Sequence, residues 1–371
     1  MENRKPTGVG NVAINLINHM SILSDSIVIW TIDSTFLKPQ NNSIVKVLQG
    51  KKSFFKNNIS VIRAVWDQLV FPGLVKKSNI DVVFFPVQEG MLFSRVPQVV
   101  LLIDMAPLLN PGGVPYMRQL SYMTRVPFVL ANSSAIITIS QSVKQEILLK
   151  YPSIDENKIK VVHLGYDCTR FYELPTSDSI LMRYGLKDLK YILYVGSICE
   201  NKNIRNIIKS YMISDCADWN LVIAGNVLDY NYYCELKCFV SANNLGEKIK
   251  FIDYVGYDDL PALYRGSSLF IFPSFYEGFG LPILEAMACG VPVVTSSRHA
   301  MPEVAGDAAF LVDPDCVDKI AVAIKEVLTN NDVRNALVTK GLKRVLDFSW
   351  EKSAHQVLKI CEEAMKESNP Q

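Results

Sequence analysis

Short apolar, β-branched runs alternate with helix-patterned segments along this 371-residue chain, and they fall into two series. The first is SIVIWTI (26–32), ISVIRAV (59–65), DVVFFP (81–86), QVVLLID (98–104), AIITIS (135–140) and IKVVHLG (159–165). The second is YILYVG (191–196), LVIAG (221–225), IKFIDYV (249–255), LFIFPS (269–274), VPVVTS (291–296) and AAFLVD (308–313). A strand that reads as a continuous apolar run is buried on both faces, which requires a parallel sheet covered by helices. Two such series predict an α/β chain with two doubly wound, Rossmann-like domains, and its length suffices for both. Polar and turn residues interrupt the pattern at YELPTSDSILMRYGL (172–186). Domains are therefore expected over 1–172 and 173–350, followed by a last helix over 351–371 with Ser349 as its N-cap.

A doubly wound domain opens with a strand that feeds its glycine loop. Here TGVGN (7–11) arrives directly after ENRKP, which is no buried strand. The expectation is a first domain without its opening strand, or a start codon further upstream.

Charge and cysteine usage narrow the partners. The formal net charge is +1, which gives no reason to expect a nucleic-acid binder. Residues 1–170 hold 18 Lys+Arg against 11 Asp+Glu, a net of +7, and the remainder holds 20 against 26, a net of −6. A basic first half fits an anionic membrane surface or simply a solvated face. KKSFFK (51–56) and YMRQLSYMTRVPFVL (116–130) mix basic with aromatic and apolar residues, and Arg118 and Arg125 are spaced for one helix face. They could rest on lipid; the alternative is a core-packed helix with a charged edge. The eight cysteines form no C-x-x-C pair and the four histidines show no ligand spacing, so no disulfide framework and no bound metal are expected. DPD (313–315) reads as a turn. No apolar run reaches bilayer length and the N-terminus lacks the apolar core of a signal peptide, so a cytoplasmic location is expected.

The segment SLFIFPSFYEGFGLPILEAMACGVPVVTSS (268–297) carries the most chemistry. A strand, a Gly-x-Gly turn and a helix follow one another, with Pro282 suited to the helix start and Gly290 to its stop. Ligands of open α/β sheets bind at the carboxyl ends of strands. Gly278 and Gly280 permit close backbone approach, and the helix start offers N–H groups to an anion or hydroxyl-rich ligand. Glu277 and Glu285 flank that turn as acceptors suited to sugar and ribose hydroxyls. The arrangement reads as a nucleotide-sugar pocket.

The same residues, with MPEVAGDAAFLVDP, DLPALYRGSSLFIFPS, FSWEKSA and YVGSICENKN, resemble the donor-binding signature of family 4 glycosyltransferases, retaining enzymes of the GT-B fold. The resemblance covers nearly the whole chain and is densest over 190–352. It implies that Glu285 binds the ribose hydroxyls, that Glu277 contacts the donor sugar near the reacting carbon, and that backbone amides around Phe279, Gly280 and Leu281 hold sugar hydroxyls or the diphosphate. Lys202 matches the lysine that neutralises the diphosphate, and Gly8 and Gly10 match the first-domain loop facing it. The last helix would cross back to the first domain. A cation at Lys202 also makes independent sense, because loss of a nucleoside diphosphate builds negative charge on oxygen. No divalent ion or other cofactor is implied.

Three departures stand out. Ser197 occupies a position often taken by Arg, and Asn201-Lys202 stands for an Arg-Lys pair. Ile103, in LLIDMAPL, replaces a histidine expected near the donor sugar, leaving Asp104 as an acceptor-side candidate or a strand-end cap. The third is the missing first strand. GVGN and MPEVAGDAA look most like bacterial mannosyltransferases of surface polysaccharide assembly. That resemblance implies a retaining transferase moving a hexose, mannose from GDP-mannose, to a lipid-linked oligosaccharide, peripheral on the inner face of the cytoplasmic membrane. The alternative is a non-catalytic or partner-dependent homologue that binds nucleotide; a nucleotide-sugar epimerase fits less well.

Overall fold

The computed structural model describes residues 8–24, 26–31, 34–39, 43–47, 68–109, 114 and 116–368. Twelve strands are assigned among them, all parallel to their neighbours. They are β1 (Val28–Thr31), β2 (Ile44–Val47), β3 (Val83–Phe85), β4 (Gln98–Leu102), β5 (Ala135–Thr138), β6 (Ile159–Val161), β7 (Tyr191–Val195), β8 (Asn220–Ala224), β9 (Ile249–Ile252), β10 (Leu269–Phe272), β11 (Val293–Ser296) and β12 (Phe310–Val312). The fold is α/β. ISVIRAV (59–65), KKSFFK and the ENRKP start lie outside the described residues.

Two compact units separate. The first holds the described residues up to Leu108, Tyr116–Gly165 and the helix from Trp350; the second holds Tyr166–Ser349 with the residues just before Tyr116. The division thus falls between Gly165 and Tyr166, ahead of position 172.

In the first unit β3, β4, β5 and β6 lie in that order, and β1 pairs with β2 in a separate two-stranded sheet. Every residue of β4 and of β5 is buried, as continuous apolar runs require. The helix Trp350–Ser368 packs in this unit against the helix Gly8–Leu23 and against β4 and β5. Ser353 Oγ ties it down by donating to the His163 carbonyl at 2.6 Å.

The second unit has the sheet order β12-β11-β10-β7-β8-β9. The chain builds outward from β7 through β8 to β9, then returns to the other side of β7 with β10. The order therefore reverses between β7 and β10. At such a switch point, the loops leaving the two strands diverge to opposite faces and open a crevice at the carboxyl edge. The β7 loop is GSICENKN and the β10 loop is PSFYEGFG, so the topology brings these two segments together.

Candidate active site

The β10 loop is held in place by the β7 loop. Asn201 Nδ2 donates to the Tyr276 carbonyl at 3.0 Å, and the Phe275 N–H donates to the Asn201 carbonyl at 3.0 Å. Asn203, buried and left-handed at φ 60°, donates from Nδ2 to the carbonyls of Pro273 at 2.9 Å and Pro314 at 2.7 Å. Asparagine tolerates that backbone conformation better than most residues. Asn201, standing where the family pattern has Arg, is thus a clamp on the signature loop.

Within this clamp Lys202 Nζ and Glu277 Oε1 form a direct ion pair, with only 18% and 15% of the side chains exposed. Lys202 Nζ also lies 5.7 Å from the centre of the Phe272 ring. An ammonium has three donors and a carboxylate two oxygens, so the pair leaves hydrogen-bonding capacity on both partners. Beneath it, the buried Tyr194 hydroxyl donates to the Ser197 carbonyl at 3.0 Å. Burial holds this phenol well above its ordinary pKa, and the Glu277 charge pushes the same way. Burial likewise raises the Cys199 thiol; Lys202 opposes this and Glu277 adds to it.

Past the loop, Gly280 takes φ 109°, a left-handed backbone that turns the chain into the helix Leu281–Ala288. A Cβ there would meet Ile283 Cδ1 at 3.0 Å, so glycine serves both the turn and the packing. No side chain caps this helix start, and Pro282 lies in its first turn. The helix stops in a Schellman motif: the Gly290 N–H donates to Met287 and the Val291 N–H to Ala286, with Gly290 at φ 73°. The Phe279 side chain is buried edge-on against Phe348 at 5.9 Å.

Glu285, one turn into that helix, accepts from the Tyr264 hydroxyl at 3.0 Å. Tyr264 is fully buried, edge-on to Phe270 at 5.3 Å and to Phe171 at 5.9 Å. Burial pushes the Glu285 carboxyl up to about 7, the Tyr264 hydrogen bond opposes this, and the charge of Asp167 adds to it. Tyr264 and Asp167 were not singled out in the sequence. Tyr264 reads as one more apolar residue of DLPALYRGSS, and Asp167 lies in the polar stretch after β6.

Lys202, Glu277, Glu285, Ser197 and the Gly278–Leu281 turn all belong to the second unit. Gly8 and Gly10 lie in the first turn of the helix Gly8–Leu23, in the first unit. Asp104, also there, follows β4. Its Oδ1 accepts from the Ala106 N–H at 3.1 Å, capping the short helix Ala106–Leu109, and its Oδ2 lies 3.8 Å from Arg118. Ile103 is half-buried. Asp313 and Asp315 both pair with Arg298, at 2.6 and 2.7 Å. Among the described residues no cluster of three His, Cys, Asp or Glu could hold a metal ion.

Residues 182–344 match the family model described as glycosyl transferases group 1. The chain is similar to an O-antigen chain mannosyltransferase B of Escherichia coli, with 35% identity over 240 residues covering 62% of this chain and 60% of that protein. It is also similar to the serotype-specific mannosyltransferase WbdA of Escherichia coli, with 31% identity over 261 residues, 68% of this chain and 32% of that one. The chain thus spans less than two thirds of the length of these relatives. Among solved structures, HepE of Anabaena, crystallised with UDP and glucose, superposes with a TM-score of 0.76 at 18% identity and 98% coverage of both chains. A glycosyltransferase from Rickettsia africae superposes with a TM-score of 0.74 at 18% identity, covering 96% and 94%.

Proposed function

For this chain, which has the GT-B fold, resembles family 4 mannosyltransferases and carries a group 1 glycosyl transferase domain over residues 182–344, we propose a glycosyltransferase of polysaccharide assembly. It moves mannose, with retention, from GDP-mannose to a lipid-linked oligosaccharide, without a metal ion. The observation that carries this reading is the Lys202–Glu277 pair at the switch between β7 and β10, beside an uncapped helix start that bears Glu285.

The residues divide the work. Lys202 supplies positive charge to the leaving diphosphate, whose oxygen gains charge as the glycosidic bond breaks. Backbone N–H groups at Gly280 and Leu281 add the positive end of the helix dipole. Once Lys202 turns to phosphate, Glu277 is released to accept from donor-sugar hydroxyls. Glu285 accepts from ribose hydroxyls and is positioned by Tyr264.

The names of the Escherichia coli relatives support mannose as the sugar. The test is calorimetric binding of GDP, UDP and GDP-mannose, in the presence of a chelator, to wild type and to Glu285→Ala. Selective binding that weakens by about 1.5–3 kcal/mol in the variant is expected, the worth of hydrogen bonds to a charged acceptor. Absence of binding by every nucleotide overturns the reading.

A second reading has a specific observation behind it. Ile103 stands where the pattern has histidine, and Asp104 beside it is engaged as a helix cap and by Arg118. A nucleotide-binding homologue without turnover of its own would bind GDP yet transfer nothing, and Ile103→His would then restore activity.

A further inference from the structure

The second sheet gives β10 two neighbours, β7 on one side and β11 on the other, and all three strands run parallel. Their carboxyl ends therefore open on one edge, where the signature loop after β10 is flanked by two other loops. The β7 loop contributes Lys202, which pairs with Glu277. The β11 loop contributes His299. Its ring meets the buried ring of Tyr276 edge-on, with 4.7 Å between centres and 63° between planes. Tyr276 immediately precedes Glu277, and its carbonyl is held by Asn201 Nδ2 at 3.0 Å. The imidazole thus borders the backbone that carries Glu277 from the β11 side, as Lys202 does from the β7 side.

His299 is exposed, and its backbone is left-handed at φ 54°. The other non-glycine residues with positive φ, among the described residues, are all asparagine or aspartate, whose short polar side chains tolerate that conformation. At His299 the flanks impose it. The Ser297 N–H donates to the Val312 carbonyl at 2.8 Å, and the Arg298 guanidinium reaches Asp313 at 2.6 Å and Asp315 at 2.7 Å. On the other side Ala300 and Met301 are fully buried. A sparsely populated backbone conformation fixed by its surroundings is a recurring feature of ligand-binding sites. Here it presents an imidazole at the rim of the signature loop.

We infer that His299 is a sugar-binding residue of the donor site, its ring N–H donating to a hydroxyl of the transferred hexose beside Glu277. The chemistry of the loop favours such a group. A sugar hydroxyl both gives and accepts a hydrogen bond, whereas the Glu277 carboxylate only accepts and the Lys202 ammonium, turned to the diphosphate in the proposed reaction, only donates. An imidazole supplies the missing donor next to that carboxylate. The inference rests on the proposed donor site and deepens it: Glu285 serves the nucleotide half of the donor, and His299 serves the sugar half.

Calorimetric binding of GDP and of GDP-mannose to the full chain tests it with two variants. His299→Gly frees the left-handed backbone and removes the ring. His299→Phe keeps a ring against Tyr276 and removes both nitrogens. Thermal unfolding shows which of them is folded, and either one suffices. The affinity for GDP-mannose should fall by about tenfold in each, while that for GDP stays as in wild type. GDP-mannose binding that a folded variant retains overturns the inference, and retention by His299→Phe alone would show the ring to be packing. Equal loss of GDP and GDP-mannose also overturns it, since His299 would then only position the loop. Wild type that binds neither ligand overturns the donor-site reading, and this inference with it.

Discussion

The ammonium of Lys202 and the carboxylate of Glu277 meet in a direct, largely buried ion pair although they lie 75 residues apart. Each leaves its own strand, β7 or β10, and the pairing of those strands makes the meeting possible. In the absence of a donor each charge is the other's counter-ion. In the proposed reaction, the pair holds a cation for the leaving diphosphate and a carboxylate for the sugar.

Removing one partner leaves the other in a poorly solvated place. Lys202→Ala should therefore cost about 1–3 kcal/mol of stability, and Lys202→Ala/Glu277→Ala less than the sum of the two single changes. Urea denaturation of the three variants measures this coupling. In the proposed reaction Lys202→Ala should also lower kcat by about 100-fold or more, since its charge serves the leaving group.

Tyr264 opposes the upward shift of Glu285. Taking away its hydroxyl in Tyr264→Phe should move the carboxyl further above about 7. At neutral pH less of the site would then be ionised. Nucleotide affinity should fall by about 0.5–1.5 kcal/mol, and the midpoint of its pH profile should move up. Loss of affinity with an unmoved midpoint would show Tyr264 to be packing alone.

Glu285 also makes stability depend on pH. Its folded carboxyl is raised from an ordinary 4.5 to about 7, so between those values the folded protein holds a proton that the unfolded chain has released. Stability contributed by this group is full below about 4.5 and declines as pH rises through about 7. Glu285→Gln should remove that decline. Its melting temperature, compared with wild type from acid to neutral pH, should draw ahead across this window and stay level above it. A constant difference would contradict the shift.

Asn203 joins two demands in one side chain: a left-handed backbone and two carbonyl partners. Asn203→Ala meets neither, and should cost about 2–4 kcal/mol in chemical denaturation. Nucleotide affinity should weaken as well, because the Pro273 end of the signature loop loses its anchor.

Much of this was legible residue by residue. LFIFPS reads as a buried strand because four consecutive large apolar residues have no wet face, and β10 is buried throughout. Gly290 reads as a helix stop because only glycine takes its positive φ without strain, and it closes the Schellman turn. β2 is not legible in the sequence, since Ile44–Val47 is only four residues long and carries Lys46. Asp104 reads as a strand-end cap or an acceptor-side residue, and its Oδ1 accepts from the Ala106 N–H at 3.1 Å.

The sequence by itself determined the local grammar: apolar runs that become parallel strands, a glycine turn that starts a helix, and two glutamates flanking that turn. Tertiary structure alone decided who faces whom and in what ionisation state. The sheet order sets Lys202 against Glu277, and a buried tyrosine from another helix finds Glu285. Periodicity and propensity act over a few residues. Contact between distant residues, and the burial that moves a carboxyl toward about 7, exist only once the strands have paired and the core has closed.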